Sequence, residues 1–392
     1  MPRFEPFDAV HFSGDTDVTT RTSPPYDVFD EIERDHHAAA SPHNIVLVDY
    51  PLERDGPSRY EKAARTLAQW IDTGVTVREQ VPSLTIYRMT FRDEAGRERT
   101  VSGVIGALEV VDNGAGGVLP HERTTPKAKT DRLDLTRATR HNLSPVWGLS
   151  LTTGLSGLLA EPGRVFATAT ADGVHHVAEA VTDPDRISAI CGAVSSTSVL
   201  IADGHHRYAI SRTYRDEMRG AGLPASETTM TFVQELVEDQ LSVAAIHRLY
   251  DLPHAELRAA LATNYDEISQ VITGPSTIAE MDERGCICLV DPDGRGVLLA
   301  ERSGALDGVR ALDSARLEWT LSTTGHTVAY QHGVENVLHA LAEGRAKSAV
   351  LIRPVSLEEI RRTAETGELM PPKSTFFTPK LRTGMVLRPL DQ

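Results

Sequence analysis

Apolar and polar positions in the first 111 residues predict strands and a helix. The short apolar run NIVLVDYP (44–51) predicts a strand. A helix is predicted over 60–73, and Gly74 directly after it is expected to end it. The segments SLTIYRMTFRD (83–93) and RTVSGVIGALEVV (99–111) alternate apolar and polar residues, and we expect them to form a hairpin across EAGR. This part of the chain is therefore predicted to be mixed α/β.

The clearest change from strand to helix lies in the middle of the chain. A hairpin is predicted over 163–181 around an Asp-Gly pair, because Asp-Gly suits a two-residue hairpin turn. The apolar strand SSTSVLIA (195–202) stops at a second Asp-Gly, and apolar and aromatic residues then recur near helical spacing in HHRYAISRTYRDEMRG. We expect a strand, a tight turn and a helix in direct succession.

The last third of the chain has further strand and helix patterns, including the predicted hairpin ICLVDPDGRGVLLA. We place a domain boundary near Leu252-Pro253. Residues 1–252 then form an N-terminal α/β region with the HERT and ADGHHR motifs, and 253–392 form a C-terminal α/β domain that ends in the PPKST segment. The predicted fold class is α/β, of the mixed α+β kind.

Charge narrows the classes of partner. The 55 Asp and Glu outnumber the 40 Lys and Arg, and the formal net charge of −15 repels nucleic acids and anionic lipid surfaces. The N-terminal MPRFEPFDAV lacks the features of a secretion signal, and no apolar run approaches the roughly 18 residues of a membrane span. We expect a cytoplasmic protein with no nucleic-acid partner and no membrane partner.

Lysine is scarce in this sequence, since only six of the 40 basic residues are Lys. Four of the six fall in the short segments TTPKAKT and PPKSTFFTPK. A lysine ammonium is a compact charge that suits a phosphate, whereas a guanidinium is a planar fork. The retained lysines are therefore predicted to contact phosphate, with chance as the alternative.

The Asp-Gly turn of IADGHHRY gathers groups that suit a phosphate. A buried strand that turns into a helix at a glycine presents free backbone N–H groups and the positive end of the helix dipole. His205, His206 and Arg207 add donors in a first helical turn, where acidic residues are usually preferred. In the structural alternative, Asp203 caps the helix, Gly204 only turns the chain and the histidines are half-exposed.

A second candidate is the segment HERTTPKAKTDR. His121 and Glu122 precede a predicted helix whose first turns carry Lys127, Lys129 and Arg132. These cations would keep Glu122 ionised and ready to accept a proton. An ion-paired, solvated helix start is the structural alternative.

A third candidate is ELMPPKSTFFTPKL, near the end of the chain. Lys373, Ser374 and Thr375 are candidates for polar contact with a ligand, while the two phenylalanines are expected to cover a core. SPPYDV and IHR are weaker motifs, and each alone is also compatible with a structural role. The candidates for contact with a substrate are His121, Tyr26, Asp27 and Arg248.

Several common enzyme templates are missing from the sequence. It contains no GxGxxG, GxxxxGK[ST], HExxH or GxSxG pattern. Its three His-His pairs suit a metal poorly, because adjacent histidines point to different sides of a strand and diverge by about 100° on a helix.

The motifs resemble those of a bacterial family. SPPYDV, SPHNIVLVDYP, HERT followed by DR, IADGHHRY, IHR and MPPKSTFFTPKL occur in the order seen in the family called domain of unknown function 1015, and they span nearly the whole chain. The DGHHR segment also resembles the phosphate-binding box of the ParB and sulfiredoxin superfamily, whose members include free-serine kinases with the same string.

The second resemblance implies a ParB/sulfiredoxin-like nucleotide-binding core and a set of roles. Glu122 would accept the proton of the substrate hydroxyl, and Asp203 would assist it or bind Mg²⁺. His205, His206 and Arg207 would hold the nucleotide phosphates. The residue patterns add further phosphate-binding candidates, namely Gly204, Lys127, Arg132, Lys373, Ser374 and Thr375.

We therefore expect a nucleotide-dependent phosphotransferase that acts on a hydroxyl of a small metabolite. The expected cofactors are ATP, ADP or another nucleotide together with Mg²⁺, and free L-serine is the first candidate for the acceptor. A ParB-like nucleotide-binding or slowly hydrolysing regulatory switch is the second hypothesis, and a metal-dependent hydrolase is the third. The expected partners are a nucleotide and a small-molecule substrate, with a homo-oligomer left open.

Overall fold

The structure is a computed structural model that describes residues 1–92, 97–112, 114–121, 129–240 and 242–391. The helices in these ranges are α1 (Glu31–Ala40), α2 (Val46–Asp49), α3 (Arg59–Asp72), α4 (Lys129–Thr139), α5 (Leu155–Ala160), α6 (Pro184–Ser195), α7 (His205–Met218), α8 (His254–Leu261), α9 (Thr277–Arg284), α10 (Asp313–Thr320), α11 (Val334–Ala342) and α12 (Leu357–Thr366). The strands are β1 (Phe4–Glu5), β2 (Val10–Phe12), β3 (Thr76–Arg78), β4 (Leu84–Arg92), β5 (Glu98–Glu109), β6 (Val118–Pro120), β7 (His141–Asn142), β8 (Val146–Ser150), β9 (Arg164–Ala171), β10 (Val174–Val181), β11 (Val199–Asp203), β12 (Thr228–Glu235), β13 (Val243–Ala244), β14 (Ile246–Tyr250), β15 (Tyr265–Ile272), β16 (Ile287–Val290), β17 (Arg295–Glu301), β18 (Val328–His332), β19 (Ser348–Leu351), β20 (Phe376–Phe377) and β21 (Arg388–Pro389).

The chain divides into two compact units. Unit 1 consists of Met1–Leu241 together with Pro379–Gln392, and unit 2 consists of Ser242–Thr378. The boundary expected at Leu252-Pro253 falls inside unit 2, because β14 pairs with β18 and β19, which come much later in the sequence. The last residues return to unit 1, which a linear division of the sequence does not anticipate.

Unit 1 is built on a mixed sheet whose described strands run in the order β6-β11-β8-β12-β5-β4-β10-β9, with β1 paired to β5. β11 is parallel to β6 and antiparallel to β8. Sheet side chains such as Val104 and Val199 pack against Ile190 of α6 and Tyr208 of α7. Burial of each aliphatic side chain contributes about 1.5–3 kcal/mol, so this packing holds α6 and α7 against the sheet.

Most of the local elements expected from the sequence are confirmed. α3 is the predicted helix, and Gly74 after it has a φ of 75°. β4 and β5 form an antiparallel hairpin, as do β9 and β10, whose turn places Asp172 and Gly173 at φ values of 54° and 73°. The strand, turn and helix around the DGHHR segment are β11, Gly204 and α7.

The strand predicted for NIVLVDYP is wrong, because these residues form α2. Asn44 Oδ1 accepts a hydrogen bond from the backbone N–H of Val46 at 3.0 Å, and its Nδ2 donates to the carbonyl of Thr20 at 2.8 Å. The side chain of Asn44 therefore supports a turn that the apolar pattern does not reveal. A short apolar run fits a buried helix as well as a strand.

Unit 2 contains an antiparallel sheet with the order β15-β17-β16-β19-β14-β18 among the described residues. Helices cover both of its faces: α8 and α10 pack beside Ile287 and Leu289, and α9 and α11 pack beside Cys288 and Val290. The alternation of these four residues along β16 places them on opposite faces. β16 and β17 are the predicted hairpin, and the mixed α/β class is confirmed.

None of the helices in the described part of the chain combines the length and the apolar composition that a membrane crossing needs.

Candidate functional site

The DGHHR turn joins β11 to α7 through a glycine in the left-handed region. Gly204 has a φ of 81°, which L-residues with a side chain rarely adopt. A Cβ atom at this position would lie 3.0 Å from Cζ of Arg207. The turn therefore requires glycine both for its backbone conformation and for the close approach of the guanidinium. It also leaves the positive end of the α7 dipole at the end of the strand.

Asp203, the last residue of β11, lies between two cations. Arg207 Nη2 donates to Oδ2 at 2.9 Å, and Lys380 Nζ lies 3.4 Å from Oδ1. Burial alone would raise the pKa of Asp203, but the charges of Lys380 and Arg207 outweigh it and hold that pKa below its ordinary range. Asp203 is therefore a carboxylate at neutral pH. Such a group orients cations or binds a metal more readily than it accepts a proton.

Lys380 is a residue that the predicted site leaves out. It belongs to the lysine-bearing segment PPKSTFFTPK, so the scarcity of lysine was the pattern that pointed to it. Its distance from Asp203 along the chain concealed the contact, because only the return of the last residues to unit 1 brings the two together.

Arg207 is held in place by neutral and charged groups. Besides its contact with Asp203, Nη1 donates to the carbonyl of Pro145. Arg207 also interacts electrostatically with Asp27 and Tyr26, two residues of the SPPYDV motif. A guanidinium fixed from several directions loses little further freedom when it binds a ligand.

The rings of His121 and His205 are neutral. Nδ1 of His121 lies 2.5 Å from the carbonyl of Ile201, and the backbone N–H of His121 donates to Nε2 of His205 at 3.5 Å. Burial lowers the pKa of His121 to about 4, and burial together with the neighbouring His121 lowers that of His205 to about 3. His205 thus offers one N–H donor and no positive charge. His206 lies half-buried in the same turn.

Arg132 is engaged by the protein itself. Its Nη1 donates to the carbonyl of Asp49 and lies 3.3 Å from Oδ1 of that residue, and its Nε donates to Asp131 at 3.1 Å. The guanidinium also lies over the ring of Tyr26, 3.8 Å from its centroid. Burial raises the pKa of Asp49, and the charge of Arg132 opposes that rise. Arg132 is thus part of the wall of the site.

A cleft with about 450 Å³ of empty space, open solvent included, lies beside Arg207 in unit 1 and is called the cavity below. The polar groups of its wall include Tyr26, Asp49, Arg132, His141, Asn142 and Arg207. His141 has Nδ1 2.7 Å from the carbonyl of Thr139, and its buried Nε2 has no hydrogen-bond partner among the described residues. The sequence identified three of these residues and missed Asp49, which lies in the SPHNIVLVDYP motif, and His141 and Asn142, which lie outside the motifs.

The remaining predicted residues are either outside the described residues or part of unit 2. Glu122 and Lys127 are outside the described residues. Arg248 belongs to unit 2, as do Lys373, Ser374 and Thr375. Arg248 Nη1 donates to the carbonyl of Lys373 at 3.1 Å. The hydroxyl of Ser374 donates to the carbonyl of Pro371 at 2.8 Å. The structure thus joins the IHR and PPKST motifs within unit 2.

The described residues suit a magnesium ion carried by phosphates better than one held by the protein alone. Among them, no three His, Cys, Asp or Glu side chains converge as metal ligands. Mg²⁺ commonly binds through one or two carboxylates and substrate phosphates. Asp203 is the carboxylate that would hold it, and the ion would then share this group with Lys380 and Arg207.

Comparisons with known proteins supply the family. A solved structure of a free serine kinase in complex with AMP aligns with 69% of this chain and 89% of its own, at 14% identity and a TM-score of 0.36. A conserved hypothetical protein from Pyrococcus furiosus aligns with 69% of this chain and 92% of its own, at 12% identity and a TM-score of 0.36. SbnI with a C-terminal truncation, from Staphylococcus aureus, aligns with 73% of this chain and 87% of its own, at 14% identity and a TM-score of 0.40. At these values the alignments carry no argument about activity. No curated protein matches the chain. The family described as protein of unknown function (DUF1015) matches residues 4–315, and the chain belongs to this family.

Proposed function

We propose that the protein is a nucleotide-dependent phosphotransferase that acts on a hydroxyl group of a small metabolite. The observation that carries the proposal is the turn at the end of β11. There a left-handed glycine, the first turn of α7 and the fixed guanidinium of Arg207 meet beside a polar cavity. Phosphoryl transfer depends on positioning and charge neutralisation more than on covalent chemistry, and these groups supply both.

The donor phosphates would bind at the first turn of α7. Backbone N–H groups at a helix N-terminus and the helix dipole favour an anion. Arg207 reaches the same point while its other contacts hold its orientation. The resemblance of DGHHR to the phosphate-binding box of free-serine kinases supports the same placement.

The acceptor would occupy the cavity beside Arg207. Its wall offers a carboxylate, two guanidinium groups and the unpartnered Nε2 of His141, which can accept a hydrogen bond from a ligand hydroxyl. A small molecule with both positive and negative groups would match this wall. Free L-serine is the first acceptor to test.

In the reaction, the acceptor oxygen forms a bond to the terminal phosphorus of the nucleotide as the bridging P–O bond breaks. The hydroxyl proton passes to a base, and the nucleotide leaves one phosphate shorter. The resemblance to free-serine kinases gives Glu122 the role of the base. Asp203, whose pKa is lowered by Lys380 and Arg207 despite its burial, would orient the cations and hold Mg²⁺. Mg²⁺ would neutralise charge on the phosphates.

The decisive experiment is incubation of the protein with Mg²⁺, ATP, ADP or CTP and a pool of hydroxyl metabolites including L-serine. Mass spectrometry should detect one acceptor that gains a phosphate. Arg207→Ala should weaken nucleotide binding in calorimetry by about 1.5–3 kcal/mol, the range for hydrogen bonds to charged groups. The control Arg219→Ala lies just beyond the opposite end of α7 and should leave binding unchanged.

Two results would contradict the proposal. Equal nucleotide affinity of the Arg207 and Arg219 variants would remove the turn from phosphate binding. Nucleotide-dependent assembly of the protein without any phosphate transfer would favour a ParB-like switch.

A further inference from the structure

The last residues of the chain are fixed in unit 1 by three sets of backbone pairs. Thr383 and Ser23 exchange hydrogen bonds of 2.9 and 3.2 Å, and Leu387 and Val10 exchange bonds of 2.8 and 3.0 Å. β21 then pairs with β7, which borders the cavity. The segment 379–391 is therefore an integral part of unit 1.

Two buried arginines anchor the side chains of the same segment. Arg382 Nε donates to Oγ1 of Thr22 and Nη2 to its carbonyl, both at 2.9 Å. Arg388 Nη1 donates to Oδ1 of Asn142 at 3.1 Å and to the carbonyl of Thr228 at 3.0 Å. Because Arg382 is anchored two residues away, the backbone at Lys380 has little freedom to shift.

Lys380 reaches the DGHHR turn from this fixed position. The carboxylate of Asp203 contacts both the ammonium of Lys380 and the guanidinium of Arg207. The side chains of Lys380, Asp203 and Arg207 are 16%, 27% and 12% exposed, so an incoming ligand can reach all three. A phosphate at the first turn of α7 would lie beside both cations.

We propose that Lys380 binds a phosphate of the ligand as the second cation of this site, with Asp203 positioning it before the ligand arrives. The proposal rests on the phosphate-binding part of the proposed function and names a di- or triphosphate chain as the ligand, because two cations that contact different oxygens of one carboxylate match successive phosphates. A compact ammonium suits such a contact. The lysine scarcity therefore bears on Lys380.

Calorimetry with inorganic tripolyphosphate and with ATP tests the role of Lys380. Lys380→Met keeps the length of the side chain and removes its charge, and we expect it to weaken binding of both ligands at least tenfold. Lys347→Met is the control, because Lys347 is exposed in unit 2, and it should bind within twofold of the natural protein. Equal binding by the two variants would overturn the proposal.

A second variant separates binding from folding. Lys380→Arg keeps the charge and the ion pair with Asp203, so it should retain the melting temperature and still bind tripolyphosphate less tightly, because the planar guanidinium replaces a compact charge. Unchanged affinity of Lys380→Arg together with unfolding of Lys380→Met would assign Lys380 a structural role and overturn the proposal.

The outcomes also separate this proposal from the proposed function. Loss of binding on Arg207→Ala but not on Lys380→Met would leave the proposed function standing and reject the role of Lys380. Tripolyphosphate binding that depends on Lys380, in a protein that transfers no phosphate from any nucleotide, would support the phosphate site and reject the phosphotransferase.

Discussion

At the scale of single residues, burial and the neighbouring cations set the charge states of the site. The DGHHR motif names Asp203, His205 and Arg207, and these residues do lie together. Their ionisation depends on burial and on Lys380, which only the folded chain brings near. For this reason the motif cannot reveal that His205 is neutral and that Asp203 keeps its charge.

His121 makes stability depend on pH. The pKa of its buried ring is lowered to about 4 by burial, whereas in the unfolded chain it lies near the ordinary value of about 6.5. Between these values the unfolded state binds more protons, so the free energy of unfolding falls as the pH falls, by up to about 1.4 kcal/mol per pH unit. His121→Asn should reduce this slope in urea unfolding between pH 7 and 5, whereas the exposed His36→Asn should not. Identical slopes for the two variants would contradict the neutral, buried state of His121.

Glu122→Gln tests the proposed base. The change keeps the shape of the side chain but removes the proton acceptor, so turnover should fall by roughly a hundredfold or more while nucleotide affinity changes little. If Glu122 only supports the helix start, the substitution would instead cost about 1 kcal/mol of stability and leave turnover per folded molecule intact. Rate and melting temperature measured on the same variant distinguish the two roles.

At the scale of elements, local patterns predict local structure. The hairpin of β9 and β10 follows from an Asp-Gly turn, and the turn before α7 follows from a strand that stops at a glycine. The failure at NIVLVDYP has a different cause, because Asn44 forms hydrogen bonds to residues more than 20 positions earlier. Propensity and spacing contain no information about such contacts.

Gly204→Ala should damage both the turn and the phosphate site. A left-handed φ costs a residue with a side chain roughly 1–2 kcal/mol, and the new Cβ would lie 3.0 Å from Cζ of Arg207 and displace it. We expect lower stability in chemical denaturation and weaker nucleotide binding. Gly192→Ala is the matched control, because Gly192 lies in α6 with open space around it, and there alanine should be neutral or stabilising by up to about 1 kcal/mol. Similar losses in both variants would contradict a specific role of Gly204.

At the scale of the whole molecule, unit 2 is inserted between two segments of unit 1. Its ends lie close together, since the backbone N–H of Thr378 donates to the carbonyl of Ser242 at 3.0 Å and β13 pairs with β20 next to them. Neighbouring ends are typical of a domain that can be inserted into another. The sequence did not reveal this arrangement, because no linker composition marks either crossing and the segment that returns is short.

Two fragments test the insertion. Residues 242–378 should fold alone, because they contain every strand of the second sheet and the hydrophobic clusters on both of its faces. Residues 253–392 should not fold stably, because they lack β14, which lies between β19 and β18, and they carry the terminal segment that belongs in unit 1. Circular dichroism and urea unfolding should give a cooperative transition for the first fragment only. A cooperative transition in 253–392 and none in 242–378 would favour the boundary at Leu252-Pro253, because it would mean that β14 is dispensable and that the terminal segment stabilises the C-terminal region.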